Sequence, residues 1–214
     1  MTQNQQETPT VFIVDDDPAI RFAMQALMDS VNLDHEIYGS GDEFLEKMTD
    51  QRPGCLVLDI RMPGLGGLEL QEELIRRGNT LPIIFITGHG DVPMTARAMK
   101  SGAEDFLEKP PEAGELLDAV RRALERDRLA RIERAELAEL GPRLGSLTDR
   151  ERQVFELVVQ GLLNKQIAYA LNISEKTVKV HRGRVMEKLG IDSVAELVRL
   201  CEKAGIESAQ VSDI

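Results

Sequence analysis

The chain has 214 residues, enough for two domains that each bury a core, and it contains no apolar run near the roughly 18 residues a membrane span needs. A formal net charge of -11 excludes a protein that coats nucleic acid over its whole surface, but the acid is unevenly spread. Lys+Arg against Asp+Glu stands at 11 against 23 over residues 1–125 and at 10 against 8 over residues 144–204.

Two cysteines, Cys55 and Cys201, are too few and too far apart for a disulfide framework or a metal cluster, and both read as core thiols. The polar start, residues 1–9, lacks the basic-then-apolar order of an export signal, so a cytoplasmic protein without membrane attachment is expected.

Residues 10–125 alternate short apolar runs with amphipathic stretches. Strands are expected at 10–14, 35–38, 55–58, 82–86 and 105–107, and helices at about 18–30, 41–49, 66–77 and 93–101, with a fifth from near Glu112. Such alternation predicts a doubly wound α/β fold, whose ligands bind beyond the carboxyl ends of the strands. The polar residues that follow the strands would therefore share one edge: Asp15-Asp16-Asp17 after the first, Asp59 after the third, Thr87-Gly88 after the fourth and Lys109-Pro110 after the fifth. Asp17, just before Pro18, reads as a helix N-cap. Carboxylates crowded at Asp15, Asp16 and Asp59 call for a cation, and hard oxygen ligands suit magnesium. A hydroxyl from Thr87 and an ammonium from Lys109 are what a phosphoryl group on Asp59 would need around it, because phosphoryl transfer depends on positioning and charge neutralisation.

On these motifs (Val11 to Asp17, Leu58-Asp59-Ile60-Arg61-Met62-Pro63-Gly64, Ile86-Thr87-Gly88 and Glu108-Lys109-Pro110) the first segment resembles the flavodoxin-like receiver domain of two-component response regulators. The resemblance implies Asp59 as phosphoacceptor from a sensor histidine kinase. It implies Asp15, Asp16, Asp59 and the backbone carbonyl of Arg61 as Mg2+ ligands, Thr87 and Phe106 as a switch pair, Lys109 as phosphate clamp, and a cis bond into Pro110. Phe106 stands where a tyrosine is commoner. Arg61 and His89, each two residues beyond a site residue, are expected to set the lifetime of the phosphoaspartate. A phosphoaspartate-forming hydrolase is the competing enzyme reading, but such enzymes place a second acid where this chain has Arg61, so no independent catalysis is expected.

From Glu112 to about Leu140 the residues favour a helix that packs on the sheet and then runs on as a linker, either solvated or paired with its twin in a dimer, until Gly141-Pro142 and Gly145 stop it. This divides the chain into a receiver at 1–125, a helical linker at 126–143 and an output domain at 144–214.

The last part reads as four short helices. Thr148-Asp149-Arg150-Glu151 is a capping box, a second helix follows Asn164, and Ser174 and Ser193 are further N-caps, with Ile173 and Val178 spaced for a hydrophobic staple. The tight Asn172-Ile173-Ser174 connection marks a helix-turn-helix. In the helix expected at about 175–188, Val178, Val185 and Leu189 share one side, while Lys176, Lys179, Val180, Gly183 and Glu187 share the other, with Arg184 and Lys188 at its margin.

Leu147 to Glu151, Asn164 to Ala168 and Ser174 to Arg182 resemble the LuxR-type helix-turn-helix of the NarL/FixJ group. The long linker and the Gly88-His89-Gly90-Asp91-Val92-Pro93 loop lean toward the FixJ branch. The resemblance maps base contacts onto Lys179 and Val180 and a third onto Gly183, which has no side chain, so that reading would pass to Arg184. It gives Lys165, Thr177, Arg182 and Lys188 as phosphate contacts, with Lys176 on the same face. It implies promoter DNA and RNA polymerase as partners and a homodimer formed on phosphorylation. The rival reading is a helical bundle that binds other proteins.

Overall fold

The structure is a computed structural model that describes residues 8–49, 52–88 and 92–206. It divides into two compact units, residues 1–131 and 132–214.

In the first unit five parallel strands, β1 (Thr10–Val14), β2 (His35–Tyr38), β3 (Gly54–Asp59), β4 (Ile83–Thr87) and β5 (Asp105–Glu108), stand in the order β2-β1-β3-β4-β5. Every residue of β1, β3 and β4 is buried, which is why these strands are continuous apolar runs rather than alternating ones. Their side chains alternate between two cores. Val11, Ile13, Cys55, Val57, Ile84 and Ile86 meet Met24 and Met28 of α1 (Pro18–Ser30) and Leu116, Ala119, Val120 and Ala123 of α5 (Ala113–Gly145). Phe12, Val14, Leu56, Leu58 and Phe85 meet Phe44 of α2 (Gly41–Lys47), Leu70 and Leu74 of α3 (Gly67–Arg76) and Ala98 of α4 (Val92–Lys100). Helices on both faces make the sheet doubly wound, as the alternation predicts. Asp17 caps α1, its side chain accepting from the Ala19 amide at 2.8 Å, with Pro18 in the first turn. Both cysteines are buried free thiols.

In the second unit the end of α5 packs with α6 (Asp149–Val159), α7 (Asn164–Leu171), α8 (Glu175–Leu189) and α9 (Val194–Lys203). Thr148 and Glu151 form the reciprocal capping box at the start of α6, and Ser174 and Ser193 cap α8 and α9. Between α7 and α8, Asn172 takes the left-handed conformation at φ 52°, and the Ile173 amide returns to the Ala168 carbonyl at 3.0 Å, so the chain reverses in three residues. Asparagine is the residue after glycine best suited to that conformation.

One sequence expectation is corrected here. Gly141-Pro142 does not stop α5, which continues to Gly145 with Pro142 inside it. A proline deletes one helical hydrogen bond and crowds the carbonyl four residues back, at a cost of about 3 kcal/mol in a helix interior. Pro142 sits in the last turn, opposite the exposed Ala138, where water can serve the freed carbonyl. Leu140 and Leu144, both buried in the second core, each contribute roughly 1.5–3 kcal/mol by leaving water. Their i, i+4 spacing keeps the helical path through the proline. Among the described residues no helix is long and apolar enough to cross a membrane.

Candidate phosphoacceptor site and DNA-reading face

β3 ends on Asp59, whose carboxylate is 5% exposed. Close behind it Gly67 opens α3: a Cβ there would lie 2.3 Å from the Asp59 carbonyl, so only glycine lets the helix start so near the strand. Asp59 Oδ1 accepts from the Arg61 amide at 3.2 Å, which fixes the loop that leaves the strand. Asp15 follows β1, 1% exposed, and accepts from the Asp17 amide at 2.9 Å. From the end of β5, Lys109 Nζ reaches Asp15 at 2.6 Å and Asp59 at 2.8 Å, bridging the two buried carboxylates, and the bond into Pro110 is cis.

Burial pushes the Asp15 carboxyl above the ordinary aspartate range, with Lys109 opposing the rise. Burial alone would lower the Lys109 ammonium, but its hydrogen bonds to Asp15 and Asp59 outweigh it and hold the group above the usual lysine value. Asp16 is exposed, and one carboxylate oxygen from each of Asp15, Asp16 and Asp59 lies within 4.8 Å of the others. Three carboxylates against one ammonium leave a formal charge of -2, which one divalent cation balances. The all-oxygen donor set, two-thirds of it buried, fits magnesium.

Thr87, the last residue of β4, is 2% exposed, and Phe106, in register with Phe85 on the neighbouring strand, is half-buried against the core on that face. Arg61 is exposed. His89 lies outside the described residues.

In the second unit, Val178, Val185 and Leu189 bury one side of α8 as the helical spacing predicts. Lys176, Lys179, Gly183 and Arg184 are exposed on the other, together with Val180, which leaves 47% of its surface open. Lys165 is exposed in the first turn of α7. Thr177 is half-buried, its hydroxyl 2.8 Å from that of Ser174. Arg182 donates to the Asn164 side chain at 2.9 Å, so it joins α8 to the start of α7.

Lys188 is placed differently from its expected neighbours. Its ammonium donates to the Glu151 carboxylate at 2.6 Å and to the Ser146 carbonyl at 2.9 Å, tying the end of α8 to the start of α6. That hydrogen bond is the largest of the influences that lower the Glu151 carboxyl to about 2. Sequence reasoning also missed Arg143, which donates to the Leu189 carbonyl at 2.8 Å and so caps the C-terminus of α8 from α5. It missed the buried Asp127, whose side chain accepts the Gly54 amide at 2.9 Å and fastens α5 to the start of β3. A basic residue beside a helix break and an acid alone in an amphipathic helix gave no signal of partners so far along the chain.

Comparison with known proteins agrees with this arrangement. Residues 11–121 match the family described as response regulator receiver domain, and residues 145–201 match bacterial regulatory proteins, luxR family. The chain is 48% identical to nodulation protein W of Bradyrhizobium diazoefficiens, over 92% of this chain and 87% of that protein. It is 44% identical to the transcriptional regulatory protein FixJ of Azorhizobium caulinodans, over 95% and 96%. The solved structure of the response regulator StyR superposes with a TM-score of 0.75 at 48% identity, covering 92% of this chain and 99% of that one. With an acidic cluster at the sheet edge of its first unit and a tight helix-turn-helix in its second, the chain belongs to the two-component response regulators of the NarL/FixJ type, in which a receiver domain precedes a LuxR-type DNA-binding domain that regulates transcription.

Proposed function

We propose that Asp59 accepts a phosphoryl group from a phosphohistidine of a sensor histidine kinase, and that this modification turns on promoter binding. The observation that carries the reading is the Lys109 bridge: one ammonium holds the two buried carboxylates at the ends of β1 and β3 and so orients Asp59 at the sheet edge. An Asp59 oxygen would attack phosphorus as the P–N bond breaks, and the imidazole would leave with its electron pair and take up a proton. Asp15, Asp16, Asp59 and the Arg61 carbonyl would hold Mg2+, which supplies charge neutralisation to the phosphoryl oxygens. Lys109 would pass from the carboxylates to the new phosphate. Thr87 would donate its hydroxyl to it, and Phe106 would turn inward behind Thr87.

This switch would reshape the face formed by α4, β5 and α5, which would then pair with a second copy. The paired chains would set two α8 helices on a two-part site. Lys179, Val180 and Arg184 would read bases there, while Lys165, Lys176, Thr177 and Arg182 would meet phosphates and Lys188, engaged with Glu151 and Ser146, would brace the end of α8. The regulator would act in the cytoplasm as an activator that engages RNA polymerase. Arg61 and His89 would set how long the phosphoaspartate lasts, and replacing both should change its rate of hydrolysis.

The test compares wild type with Asp59→Asn, each with and without a small-molecule phosphodonor and magnesium, for dimerisation and for binding to genomic DNA fragments. The phosphodonor should raise both in wild type and neither in the variant. Indifference of both readouts to Asp59 refutes the mechanism.

A further inference from the structure

Gly183 is the ninth of the fifteen residues of α8. Apart from proline, glycine is the least favourable residue in a helix interior, because it loses the most backbone freedom and shields nothing from water. Such a residue normally has a packing reason, as Gly67 does where a Cβ would strike the Asp59 carbonyl. Gly183 has none. A Cβ built on it meets no heavy atom within 4 Å, its backbone is ordinary right-handed helix, and it is exposed. Gly114, Gly141 and Gly145 are equally open but lie in the end turns of α5, where a glycine costs little. Folding therefore favours alanine at 183.

The surroundings indicate what the missing side chain is for. At about 100° per residue, Gly183 lies between Lys179 and Val180 on the preceding turn and roughly opposite the buried stripe of Val178, Val185 and Leu189. Val180 is an exposed apolar residue between cationic ones, and such a residue has no use for solvation. Val180 and Gly183 are thus neighbours at the crest of the exposed face, with Lys179 and Arg184 beside them, and the side chain that Gly183 lacks leaves an open notch next to Val180.

We infer that Gly183 is a specificity-determining position through the absence of its side chain: the notch it shares with Val180 admits a base edge to within contact of the helix backbone. A thymine, whose C5 methyl is the apolar feature of the major groove, is the edge that fits. The inference rests on α8 being the DNA-reading helix. It differs from the reading in which Arg184 merely takes over an empty place, because here the gap itself is the recognition element.

Gly183→Ala in the full chain, treated with phosphodonor and magnesium, separates folding from reading. A duplex is first selected by wild type from a random-sequence pool, and both proteins are then titrated against it and against a scrambled duplex. The variant should melt higher by roughly 2–4 °C, since alanine is the better helix former. It should bind the selected duplex at least about fivefold more weakly, the low end of what one misread base pair costs, and bind the scrambled duplex as wild type does. Replacing the selected thymines by deoxyuridine, which removes only the methyl, should weaken wild type and leave the variant unchanged. Equal binding of the selected duplex by both proteins overturns the inference, as does a variant that melts lower, that loses both duplexes alike, or a wild type indifferent to the methyl. A wild type that selects no sequence overturns the DNA-reading assignment of α8 together with this inference.

Discussion

Lys109 is the residue on which the receiver site balances. Its ammonium is mostly enclosed and serves two carboxylates that are themselves buried, so removing it leaves two acids facing one another across a water-poor gap. Breaking such a pair from one side costs about 3–5 kcal/mol. Lys109→Ala should therefore lower stability to urea by that order at pH 7, and added magnesium should restore more stability to the variant than to wild type. The deficit should shrink as pH falls, because Asp15, already held above the ordinary aspartate range by burial, takes up a proton and removes the charge repulsion between the two acids.

Glu151 makes the opposite case. Its carboxyl is lowered to about 2 from an ordinary 4.5, so the stability it contributes is fully present above pH 4.5 and is lost as pH falls toward 2. Glu151→Gln keeps an acceptor for the Thr148 amide but loses the charge facing Lys188. Its thermal midpoint should lie below that of wild type at pH 7, and the two should converge across that acid window. Lys188→Ala should likewise destabilise the second unit. Lys165→Ala, which removes an exposed cation, should leave stability alone and reduce the slope of log affinity for DNA against log salt by about 1.

At the scale of elements, α5 serves two cores. Asp127 is buried in the first unit and Leu140 in the second. Leu140→Ala should cost the second unit about 2–5 kcal/mol, read by chemical denaturation, and leave phosphoryl uptake by Asp59 unchanged. The sheet strands were legible because full burial on both faces writes an unbroken apolar run, and Asp59 and Lys109 were legible because each interrupts or follows such a run at a strand end. The helix-turn-helix was legible in its caps: Thr148, Ser174 and Ser193 all accept the amide hydrogen bonds their spacing predicts. The path of α5 through Pro142 was not, because a local rule about proline was outweighed by burial of Leu140 and Leu144 in a core whose other members lie as far along the chain as Cys201. Nor were Lys188 with Glu151, 37 residues apart, or Asp127 with Gly54, 73 apart, since nothing in a single chain of text pairs them.

The molecule as a whole carries its charge unevenly, a receiver half rich in carboxylates and an output domain in which the slight basic excess lies in residues 144–204. Binding through several phosphates should therefore be steeply weakened by salt even though the net charge is -11. A mostly apolar contact with another protein would not be, so a salt titration of the full chain on DNA distinguishes the two.

The burial of Leu140 and the reach of Arg143 to the end of α8 also bear on how this architecture can be recombined. A chimera that joins a foreign receiver at the Gly141-Pro142 pair, where the text of the sequence invites a cut, would leave the output half without a piece of its own core and without the cap on its reading helix. A seam near residues 131 and 132, where the two compact units divide, keeps both. Exchange of receivers among relatives should accordingly have succeeded at mid-helix and failed at the visible punctuation.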